Sequence, residues 1–367
     1  MPLVYFLYQA FLLAFLLGIY MTQTTDINRQ ITLVSRPFGA PTAENFNLVR
    51  SEKPIPKADE VLLRTVFLSL DPYMRGRMND AKSYADPVAL NAVMVGGSVC
   101  RVEESNHNNY KKGDWVVAFG GWQDYSVING RELLKLDSNM ANPSQALGVL
   151  GMPGLTAYMG LLDIGQPKIG ETVVVAAATG AVGSLVGQIA KLKGCKVIGI
   201  AGGDIKCKYA VETLGFDYCL DHKSDDLAQQ LATVCSFGID VYFENVGGKV
   251  FDAVMPLLNS SARVPVCGLI SQYNATELPE GPDRLSLLVR TLLTKRIKMQ
   301  GFIVFDDYGH CYPEFSQQMS TWLMAGEIKH KEHRVEGLEH SVSAFIGLLK
   351  GENFGKLVVR VGPDNIV

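Results

Sequence analysis

From Ile31 to about Leu150 the apolar positions come in short β-branched and aromatic runs broken by Pro, Gly and Asp, as in Glu60–Leu70, Val93–Val102 and Asp114–Ile128. Such runs predict strands, and no long helical period interrupts them, so this part reads as an irregular antiparallel barrel or sandwich. Lys111-Lys112-Gly113-Asp114 ahead of Trp115-Val116-Val117 is a turn feeding one of these strands. The period then changes. Pro143 to Leu150 predicts a short helix and Leu155 to Leu162 a second, with Gly151-Met152-Pro153-Gly154 between them.

After Gly170 strand and helix patterns alternate. The strands are Thr172–Ala177, Lys196–Ile200, Asp217–Leu220, Ile239–Glu244, Arg263–Leu269 and Lys298–Phe302. Helices are expected at Val182–Lys193, Lys206–Leu214, Leu227–Thr233, Lys249–Leu257 and Leu285–Thr294. Continuous apolar strands alternating with helices predict an α/β domain, a parallel sheet covered on both faces. Residues 310–367 carry two helical stretches and a closing strand at Lys356–Val361, expected to return to the first domain and leave a cleft between barrel and sheet. The domains so drawn are 21–150 with 310–367, and 151–309.

Met1 to Met21 stands outside this scheme: it holds no charge and is almost wholly apolar from Leu3 onward. It is long enough for a membrane anchor or an export signal, but it lacks a basic leading region and a clear small-residue cleavage site. The preferred reading is translation from Met21, with residues 1–20 an untranslated extension; an anchor and a cleaved signal are the alternatives. Membrane association is expected only if residues 1–20 are present.

Charge and cysteine narrow the class. With 34 basic and 37 acidic residues, net -3 and no charged tail, no nucleic-acid partner is expected. Seven cysteines, an odd number with no CxxC pair, fit neither a disulfide framework nor a structural zinc knot. They point to a reducing, cytoplasmic compartment.

The candidate chemistry begins at Ala176–Ser184, between the first strand and first helix of the α/β series. There a tight glycine turn leads into a helix whose free N–H groups can hold a pyrophosphate. Thr179, Gly180, Ala181, Val182 and Gly183 are the candidate contacts, Gly180 for close backbone approach and Gly183 for helix–strand packing. Ala178 stands where the fingerprint has its first glycine, so the motif is degenerate and draws its strength from its position. The second strand ends in Ala201-Gly202-Gly203 with no carboxylate at its tip, and Lys206 and Lys208 follow. A carboxylate there would bind ribose hydroxyls, whereas a cation pairs with a 2′-phosphate, so NADPH is expected over NADH. Lys206 is the better candidate; Lys208 reads as a solvated helix face.

What is missing also directs the reading. Residues 21–150 hold one cysteine, Cys100, and one histidine, His107, too few to assemble a zinc site. No Tyr-x-x-x-Lys relay follows the fourth strand. Without a Lewis acid, a conjugated carbonyl is the more accessible substrate. Hydride addition at its β-carbon leaves charge on the carbonyl oxygen, which neutral donors such as a phenol can stabilise.

Four strings now carry a resemblance: Leu68–Gly76 (LSLDPYMRG), Gly151–Tyr158 (GMPGLTAY), Ala176–Ser184 (AAATGAVGS) and Glu244–Gly248 (ENVGG). The chain from Gln30 to Arg360 resembles the zinc-independent medium-chain reductases, the family of the prostaglandin (leukotriene B4 dehydrogenase) reductases. Within it, the chain is most similar to the bacterial NADPH-dependent curcumin reductases. The resemblance implies a GroES-like catalytic domain beside a Rossmann domain, usually a homodimer whose Rossmann sheets join, and NADPH-driven saturation of enone double bonds. It places Tyr273 near the nicotinamide and substrate carbonyl and Tyr73 on the barrel side of the substrate cleft. Each residue also has a plain reading, loop packing for Tyr273 and a cap over the core for Tyr73. Asn245, Asn353 and Thr156 fall to the cofactor, and Lys206 to its 2′-phosphate. His222 is a departure, because the prostaglandin-reducing members tend to have tyrosine there; a protonated imidazole can serve the phosphate instead. A quinone reductase of the same superfamily and a non-catalytic NADPH-binding protein remain as alternatives.

Overall fold

The computed structural model describes residues 27–138, 140–278 and 282–363; the apolar stretch 1–20 lies outside them. Among the described residues no helix is long and apolar enough to cross a membrane.

The first half is built on β1 (Ile27–Leu33), β2 (Phe46–Glu52), β3 (Glu60–Ser69), helix α1 (Met74–Arg77), β4 (Ser98–Ser105), β5 (Trp115–Ala118), β6 (Tyr125–Asn129) and β7 (Leu134–Lys135). β1 and β2 form an antiparallel ribbon, and β3, β4, β5 and β7 pair in that order, with β6 on the same strand β3. The run expected as one strand over Asp114–Ile128 is therefore two, separated by the turn at Gly120–Gly121, where φ at Gly121 is +76° and an added Cβ would lie 2.7 Å from the Met94 carbonyl. The ring of Trp122 stacks on Phe46 with centroids 5.9 Å apart and meets Phe345 edge-on at 5.5 Å.

Helix α2 (Met152–Met159) and a π-helical turn over 160–165 join the halves. The helix starts three residues earlier than the apolar period suggested, because Pro153 suits a first turn whose N–H groups need no partner. The Rossmann sheet then forms from β8 (Thr172–Ala176), β9 (Lys196–Ala201), β10 (Tyr218–Asp221), β11 (Ile239–Phe243), β12 (Leu258–Val266) and β13 (Lys298–Gly301). Their order, β10-β9-β8-β11-β12-β13, is parallel throughout. The intervening helices are α3 (Gly183–Leu192), α4 (Asp204–Glu212), α5 (Leu227–Val234), α6 (Gly248–Val254) and α7 (Leu285–Lys295). β8 is buried at every position, as a central strand covered on both faces must be.

Strand order reverses between β8 and β11, and the carboxyl ends of these two strands open a crevice at that switch point. β12 begins and ends earlier than expected, so Tyr273 lies beyond it, after a short 3-10 turn at Ile270–Gln272.

The last segment contributes α8 (Val304–Tyr308), α9 (Tyr312–Met324), β14 (Glu332–Glu336), α10 (Ser341–Leu349) and β15 (Lys356–Arg360). β15 pairs antiparallel with β3, and Phe345 of α10 completes the aromatic cluster around Trp122. α9 behaves differently from the division drawn at 310. Its Phe315 and Met319 are buried in one core with Leu155, Leu161 and Val173 of the Rossmann side. The chain crosses back to the barrel at β14, once that apolar face is spent.

Candidate functional site

A cleft of about 810 Å³ runs between barrel and sheet. Its lining includes all twelve residues singled out in the sequence: Tyr73, Thr156, Thr179, Gly180, Ala181, Val182, Gly183, Lys206, His222, Asn245, Tyr273 and Asn353.

At the switch point β8 ends in a turn whose Ala177 takes φ +52°, a strained setting for a residue with a side chain. The need for glycine at 183 is steric: an added Cβ would lie 2.3 Å from the Ala177 carbonyl oxygen. The Asn245 amide donates to the Ala176 carbonyl at 2.8 Å, closing β11 onto β8. Behind it the buried Glu244 carboxylate accepts from the Gly247 N–H at 2.8 Å and the Tyr242 hydroxyl at 3.0 Å. Burial pushes the Glu244 carboxyl up, while these donors and the Val246 N–H pull it down. Its visible work is to shape the loop beneath the cleft.

The other side of the turn meets the returning chain. The Gly355 N–H donates to the Thr179 carbonyl at 3.1 Å, and Asn353 turns its amide onto the Gly355 carbonyl at 2.8 Å. Lys206, in the first turn of α4, donates to the Gly351 carbonyl at 2.7 Å. Lys331 caps this strap by lying 4.2 Å over the Phe354 ring and 5.2 Å over Tyr209. Residues 351–355 thus form a strap across the nucleotide end of the cleft.

Three basic side chains gather beyond the end of β9. Lys206, His222 and Lys223 all line the cleft there, and a Cβ at Gly202 would lie 3.0 Å from the His222 Nε2. Burial lowers the Lys206 pKa, with Lys223 adding to the effect, and burial lowers His222 as well. Asp221, paired with Ala201 across β10 and β9, accepts from the Gly203 and Lys223 N–H groups, each at 3.0 Å. Lys208 is exposed and pairs along its helix with Glu212 at 3.7 Å.

At the opposite end the phenols gather. The Tyr273 hydroxyl accepts weakly from the Leu269 N–H at 3.4 Å, and a Cβ on Gly268 would sit 2.9 Å from its oxygen. Burial raises the pKa of Tyr273, and burial raises that of Tyr73 too, followed by the charge of Asp71. Both remain protonated donors at neutral pH. Asp71 in turn is held by Lys356 at 2.6 Å, both side chains buried. Thr156 donates its hydroxyl back to the Met152 carbonyl at 2.8 Å.

Four cleft residues escaped sequence reasoning. Lys223 follows the end of β10, next to β9, and the same strand-end logic that selected Lys206 reaches it once the strand order is known. Tyr84, Phe119 and Phe305 sit outside any motif. Phe119 of the barrel meets Phe305 of α8 edge-on at 6.2 Å across the cleft. Among the described residues no group of three His, Cys, Asp or Glu converges to hold a metal.

A GroES-like barrel, a Rossmann sheet and a cleft with a nucleotide turn at one end and phenols at the other define a medium-chain dehydrogenase/reductase. Residues 29–136 match the family described as the N-terminal domain of oxidoreductase, and residues 181–322 that described as zinc-binding dehydrogenase. The chain belongs to the zinc-independent branch of the medium-chain family, with the curcumin and prostaglandin reductases. It is 61% identical to the NADPH-dependent curcumin reductase of Escherichia coli over 345 residues, 94% of this chain and 100% of that protein. It is 43% identical to mouse prostaglandin reductase 1, over 88% of this chain and 95% of that one. The crystal structure of CurA from Vibrio vulnificus with NADPH superposes with a TM-score of 0.89 at 67% identity, covering 91% of this chain and 99% of that one.

Proposed function

We propose that this protein reduces the carbon–carbon double bond of α,β-unsaturated ketones and aldehydes with NADPH. Bound in the cleft, that cofactor supplies the hydride that goes to the β-carbon. The fingerprint turn and the start of α3 take its pyrophosphate, and Lys206, His222 and Lys223 its 2′-phosphate. Asn245 and Asn353 each donate one side-chain N–H to a backbone carbonyl, which leaves the oxygen and second N–H of each amide to face the cofactor; Thr156 lines the cleft with them.

Tyr273 donates to the substrate carbonyl as negative charge builds on its oxygen, Tyr73 orients the substrate from the barrel wall, and the enolate then takes a proton at its α-carbon from water or from Tyr273. A positioned neutral donor contributes most when it meets charge that exists only in the transition state. The observation that carries this reading is the pair of half-buried phenols in the same cleft as the nucleotide turn.

The test is loss of NADPH absorbance against a panel of enones, alkenals and quinones, with each product identified by mass. Saturated ketones or aldehydes are expected, and Tyr273→Phe is expected to lower turnover by about 10²-fold, the scale for one oxyanion donor, with NADPH affinity unchanged. Equal turnover by the variant would remove Tyr273 from the chemistry. Quinol products with no enone turnover would replace the reading with a quinone reductase.

Two further proposals complete it. A homodimer would form by continuing the sheet across its edge strand β13, beside which α7 exposes Leu285, Leu287, Val289 and Leu293. A cytoplasmic location is supported by seven free cysteines.

A further inference from the structure

Arg75 is only 3% exposed, yet among the described residues every acceptor around its guanidinium is neutral. Its Nε donates to the Asn274 side-chain oxygen at 3.1 Å, Nη1 to that of Asn79 at 2.6 Å, and Nη2 to the Gly39 carbonyl at 2.8 Å. Burial lowers its pKa. A buried cation is costly to hold, so neutral acceptors gathered around it call for a reason beyond charge pairing.

The position of the acceptors supplies one. Arg75 lies in α1, two residues after Tyr73, and Asn274 directly follows Tyr273. The Arg75–Asn274 bond therefore crosses from the barrel loop carrying one phenol to the Rossmann loop carrying the other. The segment that accepts from Nη2 packs on the same loop: a Cβ at Gly39 would lie 3.7 Å from the Thr276 methyl and 3.9 Å from the Asn274 carbonyl oxygen. A planar fork can hold three such directions at once, whereas an ammonium on a flexible stem cannot fix them.

We propose that Arg75 is a positioning residue whose guanidinium latches the Tyr73 loop to the Tyr273 loop, so that both phenols meet the substrate in a single preset geometry. This rests on the enone-reductase reading above. The latch sets turnover and leaves cofactor binding alone, because Lys206, His222 and Lys223 lie at the far end of the cleft.

Asn274→Ala removes the crossing acceptor and keeps Asn79 and Gly39 within the barrel; Asn79→Ala removes one barrel acceptor and keeps the crossing bond. With the full-length protein and an enone accepted by the parent, Asn274→Ala is expected to lower kcat by about tenfold to a hundredfold, the scale of a misplaced reacting group. NADPH affinity should stay within about twofold, and Asn79→Ala should keep kcat within about twofold, both small against that loss. Arg75→Lys should lower kcat at least as far as Asn274→Ala, and the double variant should be no worse than Arg75→Lys, since the crossing bond is already lost there. Hydrogen exchange adds a readout that needs no turnover: Asn274→Ala should lose protection over residues 268–276. Parental kcat in Asn274→Ala, additive losses, an equal loss in Asn79→Ala, or unchanged exchange would each overturn the latch. A parent inactive on every enone would instead defeat the functional reading, and the exchange result would still judge the latch.

Discussion

At the residue scale, Ala178 shows how a degenerate fingerprint is packed. A Cβ on Gly199 of β9 would lie 2.7 Å from the Ala178 Cβ, 2.9 Å from the Phe216 ring and 3.1 Å from the Cys219 sulfur. The methyl gained at the first fingerprint position is thus matched by one given up on the neighbouring strand. Gly199→Ala is expected to destabilise the protein by about 1–3 kcal/mol, the usual cost of overpacking, and Ala178→Gly to recover part of it; denaturant unfolding measures both. His222 makes a second prediction. Its pKa is depressed by burial, so in the free protein the ring is neutral at neutral pH. A bound 2′-phosphate favours the charged ring, so binding takes up a proton and NADPH affinity should rise as pH falls toward the histidine range. Calorimetry in buffers of different ionisation enthalpy reads that proton. His222→Tyr should abolish the uptake, and Lys206→Ala should weaken NADPH by about tenfold or more while sparing NADH.

At the element scale, the strap and β15 couple the two ends of the cleft. Gly355 bonds the nucleotide turn, and the next residue, Lys356, bonds Asp71 and the Leu70 carbonyl beside Tyr73. Lys356 is 4% exposed and Asp71 6%, so removing one partner strands a buried charge. Lys356→Met should cost about 3–5 kcal/mol in unfolding free energy, and Asp71→Asn in the same chain should return most of it. If the double variant folds well but turns over slowly, the pair serves the geometry of Tyr73 as well as stability.

At the scale of the whole molecule, the barrel and sheet have separate cores, and α9 belongs with the sheet even though the chain around it is bound for the barrel. The open edge at β13 is where assembly is expected. Light scattering should give twice the chain mass, and Leu293→Glu, at a position 77% exposed in the monomer, should shift it toward one copy. An unchanged dimer would place the interface elsewhere.

The alternation of apolar strands with helices was enough to read the Rossmann half, because each element there carries its own period and buries its own face. The nucleotide turn was legible for the same reason: strand, glycines and helix start are contiguous, so their chemistry is local. Lys206 followed from a strand end and the residues just after it. Lys223, Tyr84, Phe119 and Arg75 did not, since their meaning lies in neighbours brought close by strand order or by the meeting of two domains. Even the seat of α9 was settled by which buried surface had room for Phe315 and Met319. Local pattern determines what each segment becomes; packing across long sequence separations decides what it faces.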